Sequence, residues 1–571
     1  ANHIISEEDA KSLRAQYYAK RAAAIQERID KGLYKGSLVK RGDGALVMTG
    51  RNSYAGGTVV EGGSLYGFTE SFGSAPVEVN GGQFGLIGSY TDTFTGKGLI
   101  SSAADQPAIQ ADGDSAVLQK ARVVVNKGAT YVVSAGEDVQ AGSLEFKAGS
   151  QVAVGSLSED VFEKALAGES VTGSVTADEA IKGADQVTTP DYAFFDAEAK
   201  VEDKVLTATL KKSEGKTFSS YGDGGNGASV GEALDGSDGS LKKSLMTATK
   251  DEVRGTLASL GSDLHLSANQ ASIVNGVSLA RAVKDQAAGI GEAKSAEVAG
   301  GKARLWVSGI GSWSTLDRAG ADMDSDFYAA LAGLEADVNA SHKLGVFAGG
   351  GQTKFKAGSD GKIDSDDLHF GLYGLSRFEP VQFSYGFIYS HQDRDSSRPV
   401  MVGGSRFGAS GSYDVSIMQL YGELAWTELE VGGVSVEPYA GLSWMRVKAD
   451  SVTEQAGSTL LKTDFDTQNL GVLSLGVRAG SGFDLGGIAF KAKADLGWSQ
   501  FMGDRRAKGV LAIGDDVTAG LKSGKLEGLA TVGLGLEAQV AKGATLGLSY
   551  AGAFGKDVKS NGVFAKLKVA F

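Results

Sequence analysis

From Ala303 to Phe571 the chain is a succession of short segments in which apolar and polar residues alternate, interrupted at Gly, Asp, Ser and Lys. Successive side chains of a strand point to opposite faces, so each such segment is a strand with one apolar and one polar side. In VQFSYGFIYS, Val381, Phe383, Tyr385, Phe387 and Tyr389 share a face opposite Gln382, Ser384, Gly386 and Ser390. In IAFKAKADLGW, Ile488, Phe490, Ala492, Ala494, Leu496 and Trp498 oppose Lys491, Lys493 and Asp495. In DLHFGLYGLSRF, Leu368, Phe370, Leu372 and Phe378 alternate with His369, Gly371, Tyr373 and Arg377. In the final VFAKLKVAF, Val563, Ala565, Leu567, Val569 and Phe571 oppose Phe564, Lys566 and Lys568. A soluble sandwich also alternates. Lysines recurring on the polar face of successive strands, opposite an aromatic band, fit instead a lipid-facing exterior around a wet lumen.

Strands are expected near 303–315, 325–339, 343–356, 366–379, 381–394, 409–427, 434–448, 463–479, 484–502, 524–541, 542–555 and 558–571. Twelve is an even number, as a single-chain bacterial barrel requires. The connections after the second, fourth, eighth and tenth strands are tight, whereas those after the first, third, fifth, seventh and ninth are long and polar, as in RDSSRPVMVGGSRFGAS. Short connections face the periplasm in such barrels and long ones the exterior. No run of eighteen apolar residues is present, so a membrane-embedded chain of this kind crosses with strands.

The composition supports a repetitive β architecture and removes several function classes. Gly is abundant at 83 residues against 6 Pro, which suits a β-solenoid or barrel. The formal charge of −13 and the lack of any dense basic run argue against nucleic acid as a partner. With no cysteine, disulfides, thiolate metal sites and cysteine nucleophiles are absent together, as suits a chain that crosses the periplasm unfolded. The chain starts at Ala1 without a methionine or an apolar leader and is expected to be a processed product.

The run LASLGSDLHLSANQASIVNGVSLARAV, followed by ARLWVSGIGSWSTLDRAGADMDSDFYAALAGLEADV, resembles the junction of type V (type Va) autotransporters, where a pore helix precedes the first barrel strand. Leu257, Leu260 and Leu264 follow helical spacing, and Asn269 and Asn275 lie on the same segment. The resemblance implies a monomeric, twelve-stranded translocator β-barrel with a pore-spanning α-helix, whose passenger emerges with help from the outer-membrane assembly machinery and periplasmic chaperones. It also implies that the terminal strand carries the assembly signal, at Leu567, Val569 and Phe571. Some family members cut their chain in this helix at an asparagine held by lumen acids, which makes Asn269 and Asn275 the positions to inspect.

A second resemblance lies near the start. GSLVKRGDGALVMTGRNSYAGGTVVEGGSL, residues 36–65, is similar to the passenger-associated transport repeat: a hydrophobic pair, Lys, a Gly-x-Gly turn, alternating Leu/Val, Gly, Asn, Tyr and Gly-Gly-Thr. Gly42, Gly44, Gly50, Gly56 and Gly57 suit the turns of a parallel solenoid, Asn52 suits an internal amide ladder, and Tyr54 completes the repeat. Weaker rungs follow in SAPVEVNGGQFGLIGSY, ARVVVNKGATYVVSAGEDVQAGSLEFKAGSQVAVGS and GSVTADEAIKGADQVT. The expected organisation is an N-terminal amphipathic helix over 1–35, a right-handed parallel β-helix passenger stalk over 36–211 and a Gly/Ser/Asp linker over 212–240. A pore helix with its lead-in then occupies 241–300 and the barrel 301–571.

No catalytic constellation is visible. His3, His265, His342, His369 and His391 are the only histidines, and none falls in a metalloprotease pattern or beside a nucleophile and carboxylate set. Asp322, Asp324 and Asp326 have alternating acidic spacing, yet they lack the glycine and distal glutamate of a calcium loop. No cofactor or metal is therefore expected. The chain reads as a bacterial outer-membrane device that anchors and exports its own N-terminal passenger, with the stalk at the cell surface. On this reading an effector, a serine protease or esterase by analogy with the family, lies upstream. The alternative is a complete small surface adhesin whose β-helix binds a host or cell partner.

Overall fold

A computed structural model describes residues 36–88, 120–155, 159–287, 303–318 and 322–570, apart from positions 53 and 74, together with parts of 16–31. The helix expected over 1–35 lies largely outside these residues, although 16–21 are helical, and Phe571 also lies outside them. The chain forms two compact units, residues 1–216 and 217–571.

In the second unit twelve antiparallel strands close on themselves. They are β1 Ala303–Leu316, β2 Met323–Asp337, β3 His342–Lys356, β4 Lys362–Phe378, β5 Val381–Val402, β6 Ser405–Trp426, β7 Val434–Ala449, β8 Gln468–Leu485, β9 Ile488–Gly503, β10 Leu529–Ala541, β11 Ala544–Phe554 and β12 Val558–Ala570. Each pairs with its neighbours in sequence, β1 closes on β12 from Arg304↔Ala570 to Leu316↔Val558, and no strand is left as an edge. The alternation read from the sequence sorts the side chains. Leu368, Phe370, Leu372 and Leu496 lie more than half exposed on the outer wall, while Tyr373, His369 and Ser390 face inward and are buried. Trp313, Tyr328, Trp444, Trp498 and Phe554 ring the outer wall near one end, and Phe378, Trp426 and Phe483 near the other. Two aromatic girdles separated by an apolar band mark a wall that sits in lipid. No helix among the described residues is long and apolar enough to cross a membrane.

The structure departs from the sequence reading in three places, each for a packing reason. The segment RDSSRPVMVGGSRFGAS is not a loop, because β5 and β6 stay paired from Val381↔Trp426 to Val402↔Ser405 about the Gly403–Gly404 turn. Its inward positions carry Arg394 and Arg398, whose polarity conceals the alternation. Next, residues near 463 do not start a barrel strand. Thr459–Phe465 joins Val452–Ala456, Lys508–Ile513 and Val517–Lys522 in a separate four-stranded sheet beyond the wall. Finally, 212–240 is not an open linker. Gly225–Asp235 forms α1 and buries Val230 and Leu234, with a neighbouring turn anchored where the Asp235 carboxylate accepts from the amides of Phe218 and Ser219. Glycine here serves close approach, since a Cβ on Gly231 would meet the Ser219 Cα at 2.6 Å.

In the first unit two five-stranded parallel sheets alternate along the chain. One contains 38–40, 58–60, 77–79, 122–125 and 143–146, and the other 45–48, 64–67, 83–86, 130–134 and 151–155. This is a parallel β-helix whose turns stack Phe72, Phe84, Tyr131 and Phe146 through its core, with successive ring centroids 5.0, 6.1 and 6.1 Å apart. It ends in the antiparallel hairpin Phe195–Glu202 and Val205–Lys212. The charges of Asp196, Glu198, Lys200 and Glu202 along that terminal strand discourage further pairing.

Of the repeat glycines, Gly42 and Gly57 adopt positive φ, whereas Gly44, Gly50 and Gly56 do not. A Cβ on Gly44 or Gly50 would meet nothing within 4 Å, so neither is required by backbone strain or by space. Asn52 is not in an amide ladder. It is exposed in the turn after the strand and donates to the carbonyls of Gly50 and Ser71, tying one rung to the next. The ladder step is Asn126 Nδ2 to Asn80 Oδ1, at 2.7 Å. Tyr54 shares a 2.6 Å hydrogen bond with Thr58.

A tight corner of the repeat is Gly63, with φ +65° and with the carbonyl oxygens of Gly42 and Gly44 2.3 and 2.4 Å from where a Cβ would lie. The left-handed conformation alone costs an L side chain roughly 1–2 kcal/mol, and the clash adds to it. Gly63→Ala is therefore expected to lower the urea midpoint of the stalk, read by protease resistance, while the barrel's heat-dependent gel mobility stays as it was. An unchanged midpoint would show that the corner relaxes freely.

Candidate functional site: a helix held inside the barrel

The segment expected to hold the pore helix and its lead-in, 241–300, carries three helices among its described residues, the first being the short Ser240–Leu245. Lys250–Leu260 forms α2 and Leu264–Ala287 forms α3. Thr249 and Glu252 make a reciprocal capping box at the start of α2, and Gly261 ends it. A Cβ on Gly261 would come 2.8 Å from the Gly227 nitrogen, so glycine admits α1 against the break. Leu257 and Leu260 consequently lie on α2, fully buried, and α2 packs on α1 and β5 at the end of the barrel bearing the long connections. Leu264 opens α3, the helix that occupies the lumen. Its 24 residues span about 36 Å, enough to run the length of a membrane barrel.

Side chains from the wall fix α3 at every level. At the upper end, bearing the long connections, Asp263 pairs with Arg318 at 2.6 Å. The His265 ring lies 3.2 Å from the Tyr413 hydroxyl and 3.3 Å from Glu454, which Arg398 also binds at 2.8 Å. Burial opposes ionisation of Glu454, but the His265 hydrogen bond and the Arg398 charge outweigh it and hold the carboxyl well below the usual carboxylate range. Arg398 further donates to the Ser259 carbonyl, joining α2 to the same cluster. One turn lower, the fully buried Arg394 donates to Asn269 Oδ1 and Ser272 Oγ, both at 2.7 Å, with Phe355 and Tyr413 beneath its guanidinium. Asn275 donates to Ser325 at 3.1 Å. The hydrogen bonds at Asn269 and Asn275 thus run to Arg394 and to a serine.

At the lower end the helix leaves carbonyls without intrahelical partners. Three inward lysines supply donors: Lys566 to Asp285 O, Lys568 to Gln286 O and Lys343 to Ala287 O, at 3.2, 3.1 and 3.2 Å. They also place positive charge at the negative end of the helix dipole. Two acids balance them, Glu335 buried and Glu537 half-buried. Glu335 lies 2.9 Å from Lys568, 3.7 Å from Lys343 and 2.8 Å from Arg304, and Glu537 binds Lys566 and Lys493 at 2.6 and 2.5 Å. Along the last turns, Lys284 and Arg478 share Glu423, and Arg281 reaches Asp495.

Of the helix polar groups, Asp263, Asn269, Arg281 and Lys284 reach the wall, whereas Lys250, Asp251 and Arg254 sit on α2 outside the lumen, with Arg254 3.5 Å from Asp251. Leu567 and Val569 face outward on β12. Asp324 and Asp326 lie on β2 and face away from the lumen, the latter 3.4 Å from Lys356. Sequence reasoning missed Glu335, Glu423, Glu454, Arg394 and Arg398. Each is a charged residue at an inward position of the alternation, and that was the available signal. Among the described residues no group of three or more His, Cys, Asp or Glu is arranged to hold a metal ion.

Residues 305–551 match the family model of the autotransporter β-domain, and residues 38–66 match that of the passenger-associated transport repeat. Two extracellular serine proteases of Serratia marcescens are 28% identical over 274 residues and 27% identical over 272 residues, each alignment covering 47% of this chain. The alignments cover 26% of those relatives, so this chain corresponds to about a quarter of their length. Among solved structures, the translocator domain of autotransporter NalP from Neisseria meningitidis is similar with a TM-score of 0.42 and 15% identity, over 55% of this chain and all of that one. The β domain of the Bordetella autotransporter Brka has a TM-score of 0.39 and 19% identity, over 47% of this chain and all of that one.

Proposed function

From a chain that carries an autotransporter β-domain and a passenger-associated transport repeat, we infer an outer-membrane translocator that anchors and exports its own N-terminal passenger. The observation that carries this reading is the direction of α3. Its last residues meet the lysines of β3 and β12 at the short-turn end, and its first residues meet Arg318 and Glu454 at the long-connection end. The chain before residue 264 therefore leaves the lumen at the long-connection mouth, the exterior side of such barrels. On that topology the β-helix stands at the cell surface. Export of this kind needs a folded, closed barrel, for which the outer-membrane assembly machinery and periplasmic chaperones are the proposed partners, with the end of β12 as their recognition element. An effector domain upstream, of the serine protease class named in the relatives, completes the proposal.

The test is expression behind a secretory leader in a Gram-negative host. Residues 36–211 are expected to be labelled by a membrane-impermeant amine reagent added to intact cells. The 217–571 fragment should remain in the membrane fraction and shift mobility between unboiled and boiled samples. A stalk protected until the outer membrane is breached, with identical mobility in both samples, would overturn the reading.

A further inference from the structure

The contacts around α3 are unequal along its length and around its circumference. Its upper half, from Leu264 to Val274, is surrounded on all sides. Leu316, Met323, Phe355, Val415, Met445, Val472, Phe501, Leu529 and Val558 form an apolar collar drawn from strands around the whole barrel, and Ile273, Met445, Val472 and Phe501 are at most 2% exposed. The lower half, from Leu279 to Ala287, is packed on one side only. There Trp306, Phe327, Leu331, Phe347, Tyr373 and Tyr421 of β1–β6 cover it, and every even-numbered position of β5 from Gln382 to Arg398 is buried.

The opposite wall behaves differently. A cavity of about 100 Å³ lies between α3 and strands β7–β11, bordered by Arg281, Asp285, Arg478, Asp495, Thr531 and Ser549. Each water needs roughly 10–15 Å³ of such space together with polar partners, so the cavity holds several. The inward residues of this wall also become more exposed toward the short-turn end. On β8, Val472 is buried, Ser474, Gly476 and Arg478 are half-buried, Gly480 is buried again and Gly482 is exposed. On β9, Phe501 and Ser499 are buried, Asp495, Lys493 and Lys491 are half-buried and Ala489 is exposed; on β10, Leu529 and Gly533 are buried, Thr531, Gly535 and Glu537 are half-buried and Gln539 is exposed. Arg281 and Lys284 on the facing helix retain 22% and 21% of their side-chain exposure.

We propose that the permeability barrier is the apolar collar alone, and that below it one side of the helix borders a water-filled vestibule, continuous with the short-turn face, which admits small hydrophilic solutes. Charged side chains lining a half-open cavity keep water beside them, since stripping it would leave ions incompletely solvated. The polar groups at the collar's level, His265, Asn269, Ser272 and Arg394 among them, are buried and bonded to one another or to the wall, so the collar seals without filling the whole lumen. The inference concerns the barrel and stands whether or not an effector lies upstream.

The chain contains no cysteine, so single cysteines report accessibility without background. Thr531→Cys and Ser549→Cys place a thiol in the vestibule, and Val472→Cys and Ala271→Cys place one in the collar, all by near-isosteric or small changes. In the full chain folded in detergent, with folding verified by heat-dependent mobility, an anionic methanethiosulfonate is expected to modify both vestibule sites more than tenfold faster than both collar sites. In urea all four should react alike. Folded-state rates within tenfold of one another, whether uniformly fast or uniformly slow, overturn the proposal. In lipid vesicles whose orientation is read by protease cleavage of the long connections, the vestibule sites should react from the short-turn side. Reaction from the long-connection side places the seal elsewhere and likewise overturns it.

Discussion

Deleting residues 264–287 from the refolded barrel is expected to raise its single-channel conductance in planar bilayers severalfold. A twelve-stranded wall encloses more space than its own side chains fill, so an empty lumen is a water-filled pore. In the intact protein α3 occupies that space, and its upper half is gripped by apolar side chains from all around the wall. Excision removes both halves of the collar's contact at once, because Leu264, Ala268, Ala271 and Val274 are the surfaces on which Met445, Val472 and Phe501 close. The wall itself should survive in lipid, since its backbone hydrogen bonds are made between strands and none depends on the helix. The deletion must therefore keep its heat-dependent gel mobility for the measurement to count. An intact barrel that conducts as well as the deletion would show that α3 does not plug the pore.

Glu335→Gln is expected to destabilise the folded barrel by about 3–5 kcal/mol, the usual consequence of removing one partner from a buried charge cluster. The Glu335 side chain is fully buried, and it faces Arg304 of β1, Lys343 of β3 and Lys568 of β12 and accepts from the Tyr373 hydroxyl of β4 at 2.9 Å. One carboxylate thus ties together the strands at the β1–β12 seam, where the barrel closes, and balances two of the lysines that receive the end of α3. The amide removes its charge and leaves those cations without that partner in a site shielded from bulk water. Urea unfolding in lipid vesicles measures the loss, which should be insensitive to salt because the cluster is buried. In the double variant Glu335→Gln/Lys568→Met part of the stability should return, as coupled neighbours require. A loss below about 1 kcal/mol would mean that water screens the cluster as it screens surface pairs.

The sequence by itself determined the wall. A period of two is a property of the strand, so Phe370, Leu372, Lys566 and Lys568 could be assigned to faces without knowing any partner. The even strand number and the positions of most turns followed from the same pattern. The stalk was legible through Gly42, Gly57 and the rung spacing, since a solenoid repeats its local geometry.

What only the tertiary structure decided is where polar residues find their partners. The inward lysines read from sequence as the lining of a wet lumen, yet three of them are the docking points for the carbonyls at the end of α3. RDSSRPVMVGGSRFGAS read as a loop because buried arginines look like surface residues until the helix that Arg394 grips is in place. Residues 212–240 read as a linker because glycine and serine signal flexibility locally, whereas here they signal close approach between α1 and its neighbours. Periodicity is short-range and survives in one dimension. Charge pairing across Lys284 and Glu423, or across Arg398 and Glu454, joins residues far apart in sequence, and only folding brings them together.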